Sequence, residues 1–143
     1  MKASYGFVGA GLAVLFLVEI GCAGSTPANP SDGRVASGMW GGDHVSLAVS
    51  NAGAQIEFDC ASGEIAKPLI VDGQGHLSVE GVYMPGHPGP ITIGEDPPRR
   101  PARYSGHVDG GAMTLDVLLT DSNQTIGPFT LAFGQDSRVR KCL

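Results

Sequence analysis

The sequence predicts an all-β fold: a small antiparallel meander barrel of about seven or eight strands, closed by one disulfide. Three observations carry that expectation. Apolar and polar residues alternate with a period of two almost everywhere after residue 44. Turn-forming residues fall between the alternating runs. Two cysteines, Cys60 and Cys142, stand near the start and the end of that region.

The runs follow in chain order. Val45, Leu47 and Val49 alternate with Ser46 and Ala48. Ala54, Ile56, Phe58 and Cys60 alternate with Gln55, Glu57 and Asp59. Leu77, Val79, Gly81 and Tyr83 alternate with His76, Ser78 and Glu80. Tyr104, Gly106 and Val108 alternate with Ser105 and His107, and Met113, Leu115, Val117 and Leu119 with Thr114, Asp116 and Leu118. Phe129, Leu131 and Phe133 form the last run. Successive side chains on a strand point to opposite faces, so each run buries one face. Asn51-Ala52-Gly53, Asp72-Gly73-Gln74-Gly75, Asp109-Gly110, Asp121-Ser122-Asn123 and Gly134-Gln135-Asp136-Ser137 supply the turns. Helical spacing is missing after residue 22, and 22 glycines and 10 prolines suit a strand-and-turn chain.

One connection, from Met84 to Pro101, is too long for a hairpin and contains six prolines. Proline donates no ladder hydrogen bond, so this stretch is expected to stay out of central pairing. Ile91-Thr92-Ile93 within it is read either as part of an overhanging surface loop or as a lid resting on one end.

A meander of this length leaves edges unless it closes. A Cys60–Cys142 bridge would tie the last strand to the early ones. It would close a loop of about 80 residues, worth roughly 4–5 kcal/mol by the chain-entropy model.

The N-terminus reads as an export signal. Met1-Lys2 is positive, Gly6 to Val18 is apolar or glycine throughout, and Gly21, Cys22, Ala23 and Gly24 are small. Glu19 stops the apolar run short of a spanning helix. Gly21-Cys22 resembles the end of a bacterial lipobox, which implies cleavage before Cys22 and acylation of its sulfur. The competing reading is ordinary cleavage after Ala23. Cysteine parity favours lipidation: of three cysteines, removing Cys22 leaves the pair Cys60 and Cys142. Ala23 to Gly33 is small, polar and proline-containing, suited to a tether rather than a core. The expected organisation is therefore signal peptide 1–21, flexible tether 22–34 and barrel domain 35–143. Acyl chains contribute about 0.8 kcal/mol per buried methylene, so they would anchor the chain to a membrane without a helix.

The net charge is −5 and no basic stripe occurs, which argues against a nucleic-acid partner. No Gly-x-Ser-x-Gly and no phosphate-loop glycine pattern is present. Ser105 and His107 share a strand face but lie roughly 7 Å apart along it, too far for a catalytic pair. His44, Glu57, Asp59, His76, Glu80, His107 and Asp116 project from polar strand faces, yet no His-x-His or His-x-x-x-His spacing marks a metal site. Glu57 and Asp59 sit on a convex face rather than across a cleft. The chain is read as a non-enzyme with no catalytic residues, no metal and no cofactor.

Gly38-Met39-Trp40, before the first alternating run, resembles the Gly-x-Trp start of lipocalins and related calycin barrels. That resemblance implies an arginine of the last strand, Arg138 or Arg140, packed across the Trp40 ring. A tryptophan capping another meander barrel, such as an avidin-like one, is the alternative. Trp40-Gly41-Gly42-Asp43-His44, Glu57-Phe58-Asp59-Cys60, Pro101-Ala102-Arg103-Tyr104-Ser105-Gly106, Ile126-Gly127-Pro128-Phe129-Thr130-Leu131 and Arg140-Lys141-Cys142-Leu143 together resemble a group of uncharacterised bacterial exported lipoproteins, which implies a shared fold and no particular activity.

These readings converge on a cell-envelope lipoprotein whose barrel interior binds a small apolar ligand. Trp40, Phe58, Tyr83, Tyr104, Met113 and Phe129 are its candidate lining, and Leu47, Ile56, Leu77, Leu115, Leu131 and Phe133 its expected core. The alternative is a structural or interaction protein with a filled barrel and an envelope protein as partner. Eight-stranded barrels do either, filling themselves with side chains or holding one small ligand.

Overall fold

The computed structural model describes residues 33–142 apart from 88, 91 and 95. The expected signal peptide, the lipidation site Cys22, tether residues 22–32 and Ile91 lie outside the described residues.

Eight strands form one closed antiparallel meander. They are β1 Gly38–Gly42, β2 Val45–Val49, β3 Ala54–Phe58, β4 Ala61–Ile65, β5 His76–Pro85, β6 Arg100–Asp109, β7 Ala112–Leu119 and β8 Gln124–Phe133. Closure comes from β1 against β8, through Trp40↔Phe133, Gly41↔Ala132 and Gly42↔Leu131. The alternation sets the faces. Val45, Leu47 and Val49 of β2, Ile56 and Phe58 of β3, and Met113, Leu115, Val117 and Leu119 of β7 are all buried.

Two strands carry little alternation in sequence. Gly41 and Gly42 of β1 exist for close approach: a β-carbon at Gly41 would collide with the Gln135 carbonyl, and one at Gly42 with the Thr130 carbonyl. In β4, the inward position Gly63 lies under Tyr104, whose hydroxyl occupies the room a side chain would take. Cys60 is not on β3. It sits in the β3–β4 turn with φ +56°.

The proline-rich connection is shorter than the sequence suggests. Met84 and Pro85 belong to β5, and Arg100 and Pro101 to β6, which leaves residues 86–99 as loop. Pro85 pairs with Ala61 and Pro101 with Val82, both at strand ends where ladder donors are no longer required. Pro128 lies inside β8, after a cis Gly127–Pro128 bond, where β8 has passed the end of β1 and its pairing with β7 is interrupted by a register shift between Leu115 and Val117.

The two barrel ends differ. At one, the lead-in to β1 pairs with the β4–β5 loop: the Val35 N–H donates to the Leu69 carbonyl at 3.0 Å, and the Val71 N–H to the Gly33 carbonyl at 2.8 Å. Gly33 and Arg34, expected in the tether, therefore belong to the folded body. This pairing drives Val35, Leu69 and Val71 into the core cluster and closes that end. The opposite end carries the β1–β2 and β3–β4 turns and loop 86–99.

After β8, residues 134–142 run back along β1 as a strap. The Gly134 N–H donates to the Met39 carbonyl (2.8 Å) and the Arg138 N–H to the Gly42 carbonyl (3.0 Å). The strap ends at the Cys60–Cys142 disulfide, with Cα atoms 4.9 Å apart.

Candidate binding site at the disulfide end

The lumen is packed. Trp40, Leu47 and Tyr104 have 0% exposure, Met113 and Leu115 1%, and no polar or charged side chain of the described residues is buried. The Trp40 Nε1–H donates to the Ala36 carbonyl at 3.0 Å. Its indole meets Phe133 edge-on, with ring centroids 5.3 Å apart. Arg138 does not take that place; its Nε pairs with Asp43 Oδ1 at 2.8 Å. The Tyr104 hydroxyl donates to the Val82 carbonyl at 2.8 Å, and burial pushes its ionisation far above the ordinary tyrosine range.

The remaining candidate lining residues meet at the disulfide end. Phe58 of β3 lies 5.6 Å from Tyr83 of β5 and 5.2 Å from Phe129 of β8, centroid to centroid. Phe58 is 5% exposed, and Tyr83 and Phe129 are half-buried. Burial raises the Tyr83 hydroxyl as well, with nearby Arg100 opposing it.

Beside this aromatic group opens a cleft of about 290 Å³, with Phe58 in its wall. Ala61, Met84, Pro85, Pro97 and Val139 supply apolar surface, and Cys60 and Cys142 line it too. Glu57, Ser62, His87 and Lys141 add polar groups. Phe58 is thus the one candidate that touches the cleft. Phe129 borders a separate groove of about 680 Å³ along β8, which His44, Thr130 and Gln135 share. A third hollow, of about 440 Å³, lies between the β2–β3 turn and the end of β4. Met84, Pro97 and Val139 escaped the sequence reading because none belongs to an alternating inward face. Val139 did carry a signal, as the lone apolar residue between Arg138 and Arg140.

Loop 86–99 does not rest on the barrel through Ile93, whose side chain is fully exposed at 103%. His87 lines the cleft but is itself exposed.

The polar candidates settle into local pairs. His44 Nδ1 donates to Asp59 Oδ2 at 2.5 Å, and the Arg140 N–H to Asp59 Oδ1 at 2.6 Å. These bonds, the Arg140 N–H first and His44 second, hold the Asp59 carboxyl below its usual range. His76 faces His107 at 5.2 Å between rings and approaches Asp72 at 3.4 Å. The His107 Nε2 bonds the Gln74 carbonyl at 2.9 Å rather than Ser105. Glu80 lies between Lys67 (3.6 Å) and Arg103 (3.9 Å). Among the described residues no three His, Cys, Asp or Glu side chains converge on a point that would hold a metal.

No protein-family model, no curated protein and no solved structure matches the chain. The functional reading rests on these residues alone.

Proposed function

We propose that this protein is a non-enzymatic binding module of the bacterial cell envelope, exported and lipid-anchored through Cys22. Its barrel is a solid scaffold, and it takes a small apolar ligand in the cleft at the disulfide end. One contrast carries the reading: Trp40, Leu47 and Tyr104 are fully buried in the lumen, while Met84 and Val139, only partly buried, line an open cleft of about 290 Å³ floored by Phe58. That volume sits at the low end of ligand pockets and suits a single aromatic ring or short alkyl group. Apolar walls with a few polar groups at the margin are the usual composition of such sites.

Titration of the purified protein with indole, followed by amide chemical shifts, tests this. Saturating shifts should centre on Phe58, Met84 and Val139, and Met84→Glu should weaken binding at least ~10-fold. Shifts that fail to saturate, or that spread through the barrel, would refute the cleft.

A further inference from the structure

We infer that the Cys60–Cys142 disulfide is a reducible latch that holds the C-terminal strap against the cleft, so that reduction by a dithiol opens the cleft and discharges its ligand. This deepens the reading of the cleft as the binding site and rests on it.

The strap supplies part of the cleft. Val139, Lys141 and Cys142 line it on one side, and Phe58, Ala61 and Met84 on the other. Yet the strap adds almost nothing to the core. Of residues 134–142 only Val139 is even partly buried. Apart from the disulfide, Arg138 is pinned to β1 by a backbone bridge, its N–H to the Gly42 carbonyl (3.0 Å) and the His44 N–H to its carbonyl (2.9 Å), with its side chain on Asp43 (2.8 Å), whereas residues beyond it are fastened only by the Cys60 N–H to the Arg140 carbonyl (3.3 Å) and the Arg140 N–H to Asp59 (2.6 Å). Exposed bonds and ion pairs of this kind contribute little net stability each. The covalent bond is what keeps residues 139–142 in place.

Barrel closure does not pass through the strap. β1 meets β8 through Trp40, Gly41 and Gly42, and the core cluster contains no residue beyond Phe133. Releasing the far half of the strap therefore leaves the barrel closed. Both half-cystines are solvent-exposed, and exposed disulfides are the labile and regulatory ones.

The chemistry balances as thiol–disulfide exchange. One thiolate of the dithiol attacks Cys142 Sγ, the Sγ–Sγ bond breaks, and Cys60 leaves as a thiolate that takes a proton from solvent. The second thiol of the reductant attacks the mixed disulfide and releases Cys142 as a thiol. The latch gains two electrons and two protons, and the dithiol becomes a disulfide.

The test uses the mature protein, oxidised and then held in excess dithiothreitol, followed by amide NMR and indole titration. Resonances of Val139–Cys142 should move to random-coil positions, those of Leu47, Leu115 and the Trp40 indole should stay, and indole should bind at least ~10-fold more weakly. Cys142→Ser should reproduce the reduced spectrum without reductant. Strap resonances that stay native, or a whole spectrum that collapses, would each overturn the latch. So would a freed strap with unchanged indole affinity. A freed strap in a protein that binds indole in neither state would leave the latch standing and refute the cleft instead.

Discussion

The Tyr104 hydroxyl fills the space that a side chain at Gly63 would require, and its ring, together with the nearer Glu64 carbonyl, would crowd a β-carbon at Gly81. One buried aromatic on β6 thus dictates the glycine at position 63 of β4. The phenol needs that depth to reach the Val82 carbonyl, its hydrogen-bond partner in an otherwise apolar core.

Gly63→Ala should therefore destabilise by overpacking rather than by backbone conformation, at a cost of about 2–3 kcal/mol. Thermal unfolding should show a midpoint about 8–20 °C lower. Tyr104→Phe removes the overlapping atom and one hydrogen bond, costing about 1 kcal/mol alone. The double variant should be more stable than the two losses summed, with a coupling of at least ~0.5 kcal/mol. Strict additivity would show that the contact is not what selects glycine.

Gly41 makes the same argument for the strap. A methyl there would strike the Gln135 carbonyl, a backbone atom that cannot rotate away. Gly41→Ala should lift the strap at its near end and speed amide exchange at Gly134 and Arg138, whose N–H groups bond β1. Exchange at Leu115 should change far less. Uniform acceleration would mean that the whole barrel had been weakened instead.

Acid should weaken the protein through three carboxylates. Asp59 is held down by the Arg140 N–H and His44, Asp72 by the His76 and Gln74 N–H groups, and Asp121 by Arg100. A carboxyl that ionises more readily when folded stabilises the fold above its unfolded value. That contribution disappears as pH falls through the folded value. The melting temperature should thus change little from about pH 7 to 5 and drop below about pH 4. Asp59→Asn should flatten part of that acid limb. An unchanged limb would show that Asp59 does not fasten the strap in solution.

The anchor gives a cellular prediction. Wild-type protein should partition with membranes and carry an acyl mass increment on Cys22, whereas Cys22→Ser should move to the aqueous phase. An intact mass starting at Gly24 would overturn the lipoprotein reading.

The Trp40 environment offers a check on the filled lumen. The sole tryptophan has 0% exposure and packs on Phe133. Its fluorescence should be blue-shifted and resist quenching by iodide, and Trp40→Ala should cost about 3–5 kcal/mol. Ready quenching would indicate a lumen open to solvent.

Period-two alternation is a property of the chain itself, because consecutive side chains on a strand must face opposite ways. That is why β2, β3, β5, β6, β7 and the end of β8 were legible as strands, and why their count and turns pointed to a closed meander with a Cys60–Cys142 tie. β1 and β4 were not, because Gly41, Gly42 and Gly63 answer to Gln135, Thr130 and Tyr104, residues far away in sequence. The ends of β5 and β6 were obscured by Pro85 and Pro101, whose tolerance depends on where their partner strands stop. Little of the site was legible. Of the apolar candidates only Phe58 reaches the cleft, and alternation alone cannot separate a packed lumen from a hollow one. Only the tertiary structure could bring loop 86–99, the β3–β4 turn and the strap together around Phe58, because a cleft is made by segments that share no local pattern.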